Sequence, residues 1–406
     1  MNKIEKLIAE MCPDGVINRP LWELTAWDKK FNAVENYKQE KVIKYRYLLA
    51  KDLKNLEDNT GTVKLLSTGY YDGYTTESKA GEYLAEGEIV SIPWGGTAIV
   101  KYYKGKFCTA DNRIATSLDT EVLSNKYLYY YLYSKTHVIQ TFYRGSSIQH
   151  PSMKMMLDLI IPVPPLEIQN EIVKILDNFT ELEAELEAEL EAELEARTKQ
   201  YEFYRNKLLD FSTGEVGVPR IDQMLAERCP DGVIYYKIRE IVRFQKGTSI
   251  TKDKIYDGEY PVIAGGQKPA YYHNEFNRLS DTVTFSSSGA YAGFVNYFNY
   301  PIFLSDAFSL DSIDKNKITN KFIYYYFKNI QKKLYDLQSS GGVPHFYSKN
   351  ISYFDIPVPP LEIQNEIVKI LDNFSEYVTS ISEGLPAEIN ARRKQYEYYR
   401  NKLLTF

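Results

Sequence analysis

The chain has 406 residues, which is enough for two or three domains of ordinary size. Hydrophobic residues make up 44% and charged residues 25%, as in soluble globular proteins, and no apolar run approaches the roughly 20 residues needed to span a bilayer. The N-terminal stretch MNKIEKLIAEM contains acidic residues and no long apolar core, so it does not resemble a secretory signal and we expect a cytoplasmic location.

The net charge of −5 argues at first against nucleic acid, because DNA-binding domains are usually basic. Residues 181–196 read ELEAELEAELEAELEA and carry eight of the acidic residues, which leaves +3 for the rest of the chain. That remainder contains 36 Tyr and 19 Phe and permits DNA binding without indicating it. Cys12 and Cys229 match in the repeat described next, and Cys108 has no counterpart, so we expect buried thiols in a reducing compartment.

A long internal repeat organises the sequence. The block IPVPPLEIQNEIVKILDNF occupies residues 161–179 and returns unchanged at 356–374, an offset of 195. The segments KIEKLIAEMCPDGV at 3–16 and RIDQMLAERCPDGV at 220–233 match at an offset of 217, so the first copy is 22 residues longer. We expect most of the extra length between about Trp27 and Thr62, as a loop or an added local element.

These matches divide the chain into diverged domains and nearly identical segments. The predicted parts are a short N-terminal segment at 1–19, a first diverged domain at 20–160, a long helix with its linker at 161–219, the repeated short segment at 220–235, a second diverged domain at 236–355 and a second long helix at 356–406.

Each diverged domain combines short β-rich runs with an aromatic helix. The runs GEIVSIPW at 87–94 and DTVTFSSSG at 281–289 are bounded by turn residues and predict strands, as do TAIVKYY and AGFVNYF after them. The segments KYLYYYLYSK at 126–135 and KFIYYYFKNI at 321–330 predict helices whose aromatic residues lie in the core. We therefore expect two α+β domains.

The two long helices are predicted from proline punctuation and apolar spacing. Pro164 and Pro165 favour extended backbone and then allow a helix to begin at Leu166. No Pro or Gly follows before Gly214, so about 44 residues can form one helix, ~65 Å long. In the second copy Gly384 and Pro386 predict a kink.

An apolar stripe in both copies predicts that the two helices pair with each other, antiparallel. The alternative is a single long exposed helix with a low-complexity insert. The stripe consists of Leu182, Leu186, Leu190 and Leu194 in the first copy and of Tyr377, Ile381, Leu385 and Ile389 in the second.

The chain resembles the specificity subunit of type I restriction-modification enzymes in several features taken together. They are the alternation of diverged domains with PPLEIQ-type helices, the CPDGV segments, the stretches QKGTSITK at 245–252 and YPVIAGGQKPAYY at 260–272, and the LEAE tetrads. The resemblance covers essentially the whole chain. It implies an α+β fold in which two duplicated α/β target recognition domains are separated by two long antiparallel spacer helices that form a coiled coil.

The resemblance also implies the function. Each target recognition domain would read one half of a bipartite double-stranded DNA target, and the helices would set the gap and dock two modification (methyltransferase) subunits. Restriction (motor and nuclease) subunits would join the full complex. The chain itself would hold no metal or cofactor and catalyse nothing, because S-adenosylmethionine, ATP and Mg would belong to the partner subunits. The tetrads occur only in the first helix, which departs from the family's pattern of encoding the gap.

Loop segments rich in amide, cationic and aromatic groups are the predicted DNA-reading elements, because Gln and Asn pair with adenine and Lys with guanine. A solvated turn is the alternative reading for each of them. The candidates are Thr68, Tyr70, Tyr71, Tyr74, Trp94, Arg144, Gln149 and His150 in the first domain, and Gln267, Lys268, Tyr272, His273, Asn274, Ser287, Ser288 and His345 in the second.

Matched residues near the ends of the two helices are the predicted sites for partner docking, with packing inside the chain as the alternative. They are Tyr201, Tyr204, Arg205, Tyr396, Tyr399 and Arg400.

Two other classes of function compete with DNA recognition. The chain contains no GxxxxGK[ST], GxGxxG or NPPY-type motif and no zinc-ligand spacing. Asp111 with Asp306 and His150 with His345 match across the copies, so a duplicated acid-base site is conceivable. The third class is a non-catalytic coiled-coil scaffold that joins two protein-binding domains, and it would lack the salt-dependent DNA affinity of a DNA reader.

Overall fold

A computed structural model describes residues 3–250, 257–339 and 342–406, without the side chains of residues 381, 383 and 385. Two compact units make up the chain: unit 1 contains residues 1–188 and 387–406, and unit 2 contains residues 189–386. The division falls inside both long helices. Each unit therefore holds one diverged domain, the start of one long helix and the end of the other.

Unit 1 is built on a six-stranded sheet in the order β2-β7-β5-β6-β3-β4, with the short pairs β1-β10 and β8-β9 beside it. Its strands are β1 Asn18–Pro20, β2 Thr25–Trp27, β3 Val63–Leu66, β4 Gly73–Thr75, β5 Ala85–Pro93, β6 Lys101–Thr109, β7 Asn112–Ser117, β8 Tyr143–Arg144, β9 His150–Pro151 and β10 Ile160–Pro162. Its helices are α1 Lys3–Met11, α2 Leu21–Leu24, α3 Ala50–Asn55, α4 Glu77–Ala80, α5 Asn125–Ser134, α6 Thr136–Gln140 and α7 Met153–Leu157.

The first long helix, α8, runs from Leu166 to Leu208 and continues from unit 1 into unit 2. Unit 2 contains a four-stranded sheet, β12-β18-β15-β16, a three-stranded sheet, β14-β13-β17, and the pair β11-β19. Its strands are β11 Tyr235–Lys237, β12 Val242–Lys246, β13 Tyr260–Ile263, β14 Tyr271–His273, β15 Thr282–Ser286, β16 Val295–Phe298, β17 Phe303–Leu304, β18 Ala307–Ser312 and β19 Asp355–Pro357. Its helices are α9 Pro219–Arg228, α10 Ile238–Ile241, α11 Asn320–Asn329, α12 Gln331–Tyr335 and α13 Leu361–Leu403, the last of which continues into unit 1.

The elements of the two units correspond at the offsets found in the sequence. The 43-residue helices α8 and α13 begin and end 195 residues apart, and so do α5 and α11. The clearest difference is that β6 is continuous whereas its counterpart is split into β16 and β17. Pro301 lies in that break and lacks the N–H that a continuing strand ladder would need. The described residues of unit 2 therefore form a four-stranded and a three-stranded sheet where unit 1 has the six-stranded sheet.

The extra residues of the first copy form added local structure, as expected. They contain a 3₁₀ turn at Asn36–Gln39 and the helix α3. Leu53 of α3 is buried in a small cluster with Val63 and Leu65 of β3. The added segment thus covers one end of the unit 1 sheet.

The aromatic helices α5 and α11 lie in the cores, as predicted. Tyr127 and Tyr131 are buried in unit 1, and Phe322 and Phe327 are buried in unit 2. Between them, the two cores also contain the apolar face of the repeated block: Ile168, Ile172, Leu176, Ile363, Ile367 and Leu371, all fully buried.

A buried glutamine joins each long helix to the domain that precedes it. Gln169 is fully buried, and its Oε1 accepts a hydrogen bond from the Ser124 backbone N–H at 2.9 Å. Its Nε2 donates to the carbonyl oxygens of Val122 and Pro164, both at 2.8 Å. Gln364 makes the same three bonds in unit 2, with Thr319, Lys317 and Pro359.

Asp177, about two helical turns after Gln169 in α8, makes a second contact that is repeated in unit 2. Asp177 accepts hydrogen bonds from Lys126 at 2.7 Å and from the Tyr130 hydroxyl at 2.6 Å. Burial and this carboxylate raise the pKa of Tyr130 well above its ordinary value. Asp372 repeats the arrangement with Lys321 and Tyr325. The identical block thus makes identical polar contacts to two domains that differ elsewhere.

The long helices pack antiparallel in each unit, as predicted. In unit 1, Phe179 stacks on Tyr399 with ring centroids 6.1 Å apart, and Glu187, further along α8, accepts a hydrogen bond from Arg393, earlier in α13, at 2.6 Å. In unit 2, Tyr204 stacks on Phe374 at 5.4 Å.

The leucine stripe is not the whole pairing face. Leu182 is 60% exposed, so its predicted place in the contact is wrong. The neighbouring Thr180 and Glu183 contact α13 instead. The reason is that residues spaced four apart do not stay on one face of an α-helix, so the stripe winds around α8. The predicted Leu186, Leu190, Leu194 and Ile389 are half-buried, Tyr377 is half exposed beside Arg197, and the side chains of Ile381 and Leu385 lie outside the described residues. α13 continues as a helix through Gly384 and Pro386, and the kink expected there stays a prediction.

The three cysteines are free thiols. Cys108 is fully buried, and burial raises its pKa to about 11, whereas Cys12 and Cys229 are partly buried. This placement fits packing and not a reactive thiolate. Among the described helices, none has a stretch long and apolar enough to cross a membrane.

Candidate nucleic-acid interface

The β3–β4 hairpin presents the first group of predicted DNA-reading residues. Tyr70, Tyr71 and Tyr74 are 84%, 67% and 44% exposed, and Thr68 is half-buried. The Lys64 ammonium lies 4.5 Å from the centroid of the Tyr74 ring. Glu57 accepts a hydrogen bond from the Tyr71 hydroxyl and raises its pKa. The hairpin thus exposes aromatic faces with a cation beside them.

A partly buried lysine holds the loop of this hairpin in place. The Lys101 ammonium donates to Asp72 Oδ1 at 2.5 Å and to the Ser67 carbonyl oxygen at 3.0 Å, and Asp72 Oδ1 also accepts from the Ser67 N–H. Both members of this ion pair are only 13–14% exposed. The loop that carries Thr68, Tyr70 and Tyr71 is therefore tied to β6.

The β13–β14 hairpin is the counterpart in unit 2. In the β3–β4 hairpin, Tyr74 pairs with Lys64, and the next pair is Val63 with Thr75. In the β13–β14 hairpin, Tyr272 pairs with Pro261, and the next pair is Tyr260 with His273. Tyr272 is 55% exposed and so occupies the position of Tyr74. Gln267, Lys268 and Asn274 are exposed around it.

His273 corrects one prediction. Its side chain is only 3% exposed and lies edge-on to Phe303, with ring centroids 5.1 Å apart. It occupies the inward position that Thr75 takes in unit 1, because alternate residues of a strand face opposite sides. His273 is thus a core residue and not part of the exposed surface.

The loop after β5 and the β8–β9 hairpin bring together the second group in unit 1. The rings of Trp94 and His150 lie 5.0 Å apart, and His150 Nδ1 is 2.7 Å from the Trp94 carbonyl oxygen. The Gln149 carbonyl accepts from the Gly96 N–H at 2.9 Å. Arg144 is exposed and donates to the Met155 sulfur. These four predicted residues therefore form one surface.

Gly145 permits the tight end of this hairpin. Its φ of +145° lies in the region that favours glycine, and an added Cβ would be 2.6 Å from the Ile148 carbonyl oxygen. A side chain at this position would push Gln149 and His150 away from Trp94.

Arg113 supports this surface from below and was missed by the sequence reasoning. It is 2% exposed, donates to Asp28 at 3.1 Å and to Asp111 at 2.6 Å, and its guanidinium lies 4.3 Å from the centre of the Trp94 ring. Burial raises the pKa of Asp28, although Arg113 opposes the shift. The sequence offered one signal for Arg113, its place two residues after Asp111, which matches Asp306 in the second copy. The residue that matches Arg113 itself is Phe308, so the arginine is not repeated.

Unit 2 builds the same surface on aromatic packing. The backbone N–H of Trp94 donates to the backbone carbonyl of Asp111, and the backbone N–H of Ser287 donates to the backbone carbonyl of Asp306. Ser287 therefore occupies the position of Trp94. Ser288 forms a β-bridge with His345. Beneath them, Phe285 stacks on Phe308 and Phe346, with ring centroids 5.2 and 6.1 Å away.

The conceivable acid-base site is not assembled by the described contacts. Asp111 accepts from Arg113, and Asp306 bonds to Ser288, whereas His150 contacts Trp94 and His345 stacks on Tyr347 at 5.9 Å. No group of three potential metal ligands occurs among the described residues. The surfaces offer hydrogen-bonding and stacking groups, which suits recognition.

The predicted docking residues pack inside the chain. Tyr399 stacks on Phe179 and Tyr204 on Phe374. Tyr201 packs against the core of unit 2, and the guanidinium carbon of Arg205 lies 5.2 Å from the centroid of its ring. Tyr396 packs against the core of unit 1, and the guanidinium carbon of Arg400 lies 5.5 Å from the centroid of its ring. The alternative reading, packing within the chain, accounts for the tyrosines, and their part in docking stays a prediction.

Known proteins share this sequence pattern. The model of the type I restriction modification DNA specificity domain matches twice, over residues 34–196 and 230–391. The specificity subunit of an Escherichia coli type I restriction enzyme is 30% identical, over 100% of this chain and 97% of that protein. A putative type I restriction enzyme specificity subunit of Haemophilus influenzae is 33% identical, over 83% of this chain and 88% of that protein.

Solved structures share the fold. A chain from a structure of type I complex assembly and conformational transition has a TM-score of 0.64 at 14% identity and covers 97% of this chain and 98% of its own. A specificity subunit from Thermoanaerobacter tengcongensis has a TM-score of 0.55 at 14% identity, with 97% of both chains covered. At such identities the likeness concerns the fold alone.

The family matches and the relatives agree with the duplicated architecture. The predicted α+β fold with two recognition domains and two long antiparallel helices is confirmed. Specificity subunits are the DNA-recognition component of their complexes and not the catalytic one. This chain belongs to the family of type I restriction-modification DNA specificity subunits.

Proposed function

We propose that the chain reads a bipartite double-stranded DNA target, one half-site with each unit. The observation that carries this proposal is the placement of exposed reading groups on equivalent elements of both units. Tyr74 and Tyr272 occupy the same register position of equivalent hairpins, and His150 and His345 lie in equivalent segments against the loop after the central strand. Different side chains around shared positions suit two half-sites of different sequence.

The proposal assigns the gap and the partners to the long helices. In this proposal α8 and α13 set the spacing of the half-sites; one added LEAE tetrad would lengthen a helix by ~6 Å, comparable to one or two base-pair steps of about 3.4 Å. Two modification subunits dock on the matched helix ends, one per unit, and restriction subunits join them. The domain boundaries at 20–160 and 236–355 delimit the two readers.

Catalysis belongs to the partners in this proposal. S-adenosylmethionine, ATP and Mg are held by the modification and restriction subunits, and the complex acts in the cytoplasm. Base-edge contacts supply specificity, while Lys and Arg on phosphates supply most of the affinity.

Selection from a randomised DNA duplex library tests the bipartite proposal. The chain is co-expressed with its modification subunit, and the bound DNA is sequenced. We expect two short motifs at a constant gap. One contiguous motif would limit DNA reading to one unit, and weak binding that does not change with salt would favour the scaffold function instead.

Matched tyrosine variants assign the half-sites. Tyr74→Ala is expected to weaken selection at one motif, and Tyr272→Ala at the other, because each removes an exposed aromatic surface from one unit; loss of one base contact corresponds to about a 5- to 150-fold loss of discrimination. Selected sequences from each variant are compared base by base. Equal degeneracy of both motifs in either variant would contradict the assignment.

A further inference from the structure

Arg400 is a buried cation without a carboxylate partner among the described residues. It lies near the end of α13, in unit 1, and is 7% exposed. Among the described residues, no hydrogen bond or ion pair reaches its side chain, and its Nε is buried without a hydrogen-bond partner. A guanidinium has five N–H donors, and an unpaired buried charge is costly. An anionic ligand would remove that cost.

Space for such a ligand adjoins the guanidinium. One cavity of about 420 Å³ and another of about 440 Å³ lie beside it, and Tyr133, Glu397 and Arg400 line both. The guanidinium carbon lies 4.6 Å from the centroid of the Tyr133 ring and 5.5 Å from that of the Tyr396 ring. Two aromatic rings therefore adjoin the guanidinium, and no described hydrogen bond uses its Nε.

The corresponding arginine of unit 2 does have a partner. Arg205 matches Arg400 at the offset of 195, and its Nε donates to Asn329 Oδ1 at 3.1 Å. The residue that matches Asn329 is Ser134, whose hydroxyl donates instead to the Tyr131 carbonyl oxygen at 2.7 Å. Divergence of the recognition domain has therefore left Arg400 without the amide that serves Arg205.

We propose that Arg400 binds the carboxylate of an aspartate or glutamate side chain on the modification subunit that docks on unit 1. This inference rests on the proposed function. A planar carboxylate matches the two-donor edge of a guanidinium. Glu183 and Glu187 line one of these cavities and Glu397 lines both, so a single carboxylate is repelled less there than a DNA backbone with a charge on every phosphate.

Unit 2 depends less on its arginine alone. Lys328 stands there in place of Tyr133, and its ammonium lies 4.3 Å from the centroid of the Phe294 ring. Burial, with the positive charge of Arg205 adding to it, lowers the pKa of Lys328 to about 8. An acidic side chain docked on unit 2 would meet this second cation as well as Arg205. The two docking sites are therefore unequal.

Arg400→Met and Arg205→Met, each in the chain co-expressed with its modification subunit, test the inference. Native mass spectrometry counts the bound subunits, and titration measures both docking steps. We expect Arg400→Met to weaken one step by about 30-fold or more, as for loss of one member of a buried charged pair, and Arg205→Met to have a smaller effect. Two unchanged docking steps in Arg400→Met would overturn the inference.

Thermal unfolding and two further variants separate docking from folding. Methionine keeps the apolar stem and removes an unpaired charge, so the melting temperature of Arg400→Met should not fall. Arg400→Lys keeps the charge without the fork and should restore part of the docking, and Ser134→Asn should weaken docking by supplying the amide found in unit 2.

Two outcomes identify which proposal has failed. If Arg400→Met keeps both subunits but loses salt-dependent DNA affinity, the site holds a phosphate and the inference is wrong. If the unaltered chain docks no modification subunit, the proposed function itself fails. Normal docking of the unaltered chain with a selective loss in Arg400→Met supports both.

Discussion

Replacing Gln364 with alanine is expected to lower the free energy of unfolding of unit 2 by about 3–5 kcal/mol. The side chain is fully buried, and its amide makes three hydrogen bonds of 2.7 to 3.0 Å. Alanine would leave the Thr319 N–H and two carbonyl oxygens without partners and would open a cavity at the start of α13. Calorimetry on the complete chain, with the transitions of the two units resolved, measures the loss.

The chain offers two controls for this prediction, a matched glutamine in unit 1 and an exposed residue near Gln364. Gln169→Ala should lower the unfolding transition of unit 1 in the same way, because Gln169 makes the equivalent bonds there. Glu362→Gln, two residues from Gln364 on the same helix, removes only an exposed ion pair with Arg228 and should cost less than about 1 kcal/mol. A loss of similar size in Glu362→Gln and Gln364→Ala would show that the buried amide is not the cause.

Arg113→Met is expected to destabilise unit 1 by about 3–5 kcal/mol at neutral pH, because it leaves the carboxylate of Asp28 buried without its cation. Arg113 is 2% exposed and the Asp28 side chain 9% exposed, so water cannot replace the lost partner. The same change removes the cation from beneath Trp94 and should make the unit 1 half-site degenerate while the unit 2 half-site stays intact. Urea denaturation and DNA selection measure the two effects.

The destabilisation should depend on pH in a definite direction. Burial already raises the pKa of Asp28 above its ordinary value of 3.8, and loss of Arg113 raises it further. A carboxyl group whose folded pKa is raised destabilises the fold as pH rises from the unfolded pKa through the folded pKa. The difference in stability between Arg113→Met and the unaltered chain should therefore be smaller near about pH 5 than near about pH 8.

A second substitution isolates the charge as the cause. Asn at position 28 keeps an oxygen for the Ile114 N–H, which now donates to Asp28 at 3.1 Å, but carries no charge. Asp28→Asn combined with Arg113→Met should therefore recover most of the lost stability and remove its pH dependence. A double variant as unstable as Arg113→Met would refute the buried-carboxylate explanation.

The repeat in the sequence determined the architecture. Matching offsets of 195 and 217 predicted two related domains and two long helices, because equal spacing of nearly identical segments requires equivalent structures. Proline punctuation and helical apolar spacing predicted α8, and the aromatic segments predicted α5 and α11 as core helices. These signals are local, so they can be read from the chain alone.

Only the tertiary structure decided which side chains face outward and what supports them. His273 is buried because strand alternation turns it inward beside the exposed Tyr272, and the sequence does not reveal that phase. Leu182 is exposed because the partner helix contacts a neighbouring face of α8. Arg113 and Arg400 acquire their surroundings from residues far away in the chain, and burial among such residues is a property of packing and not of local sequence.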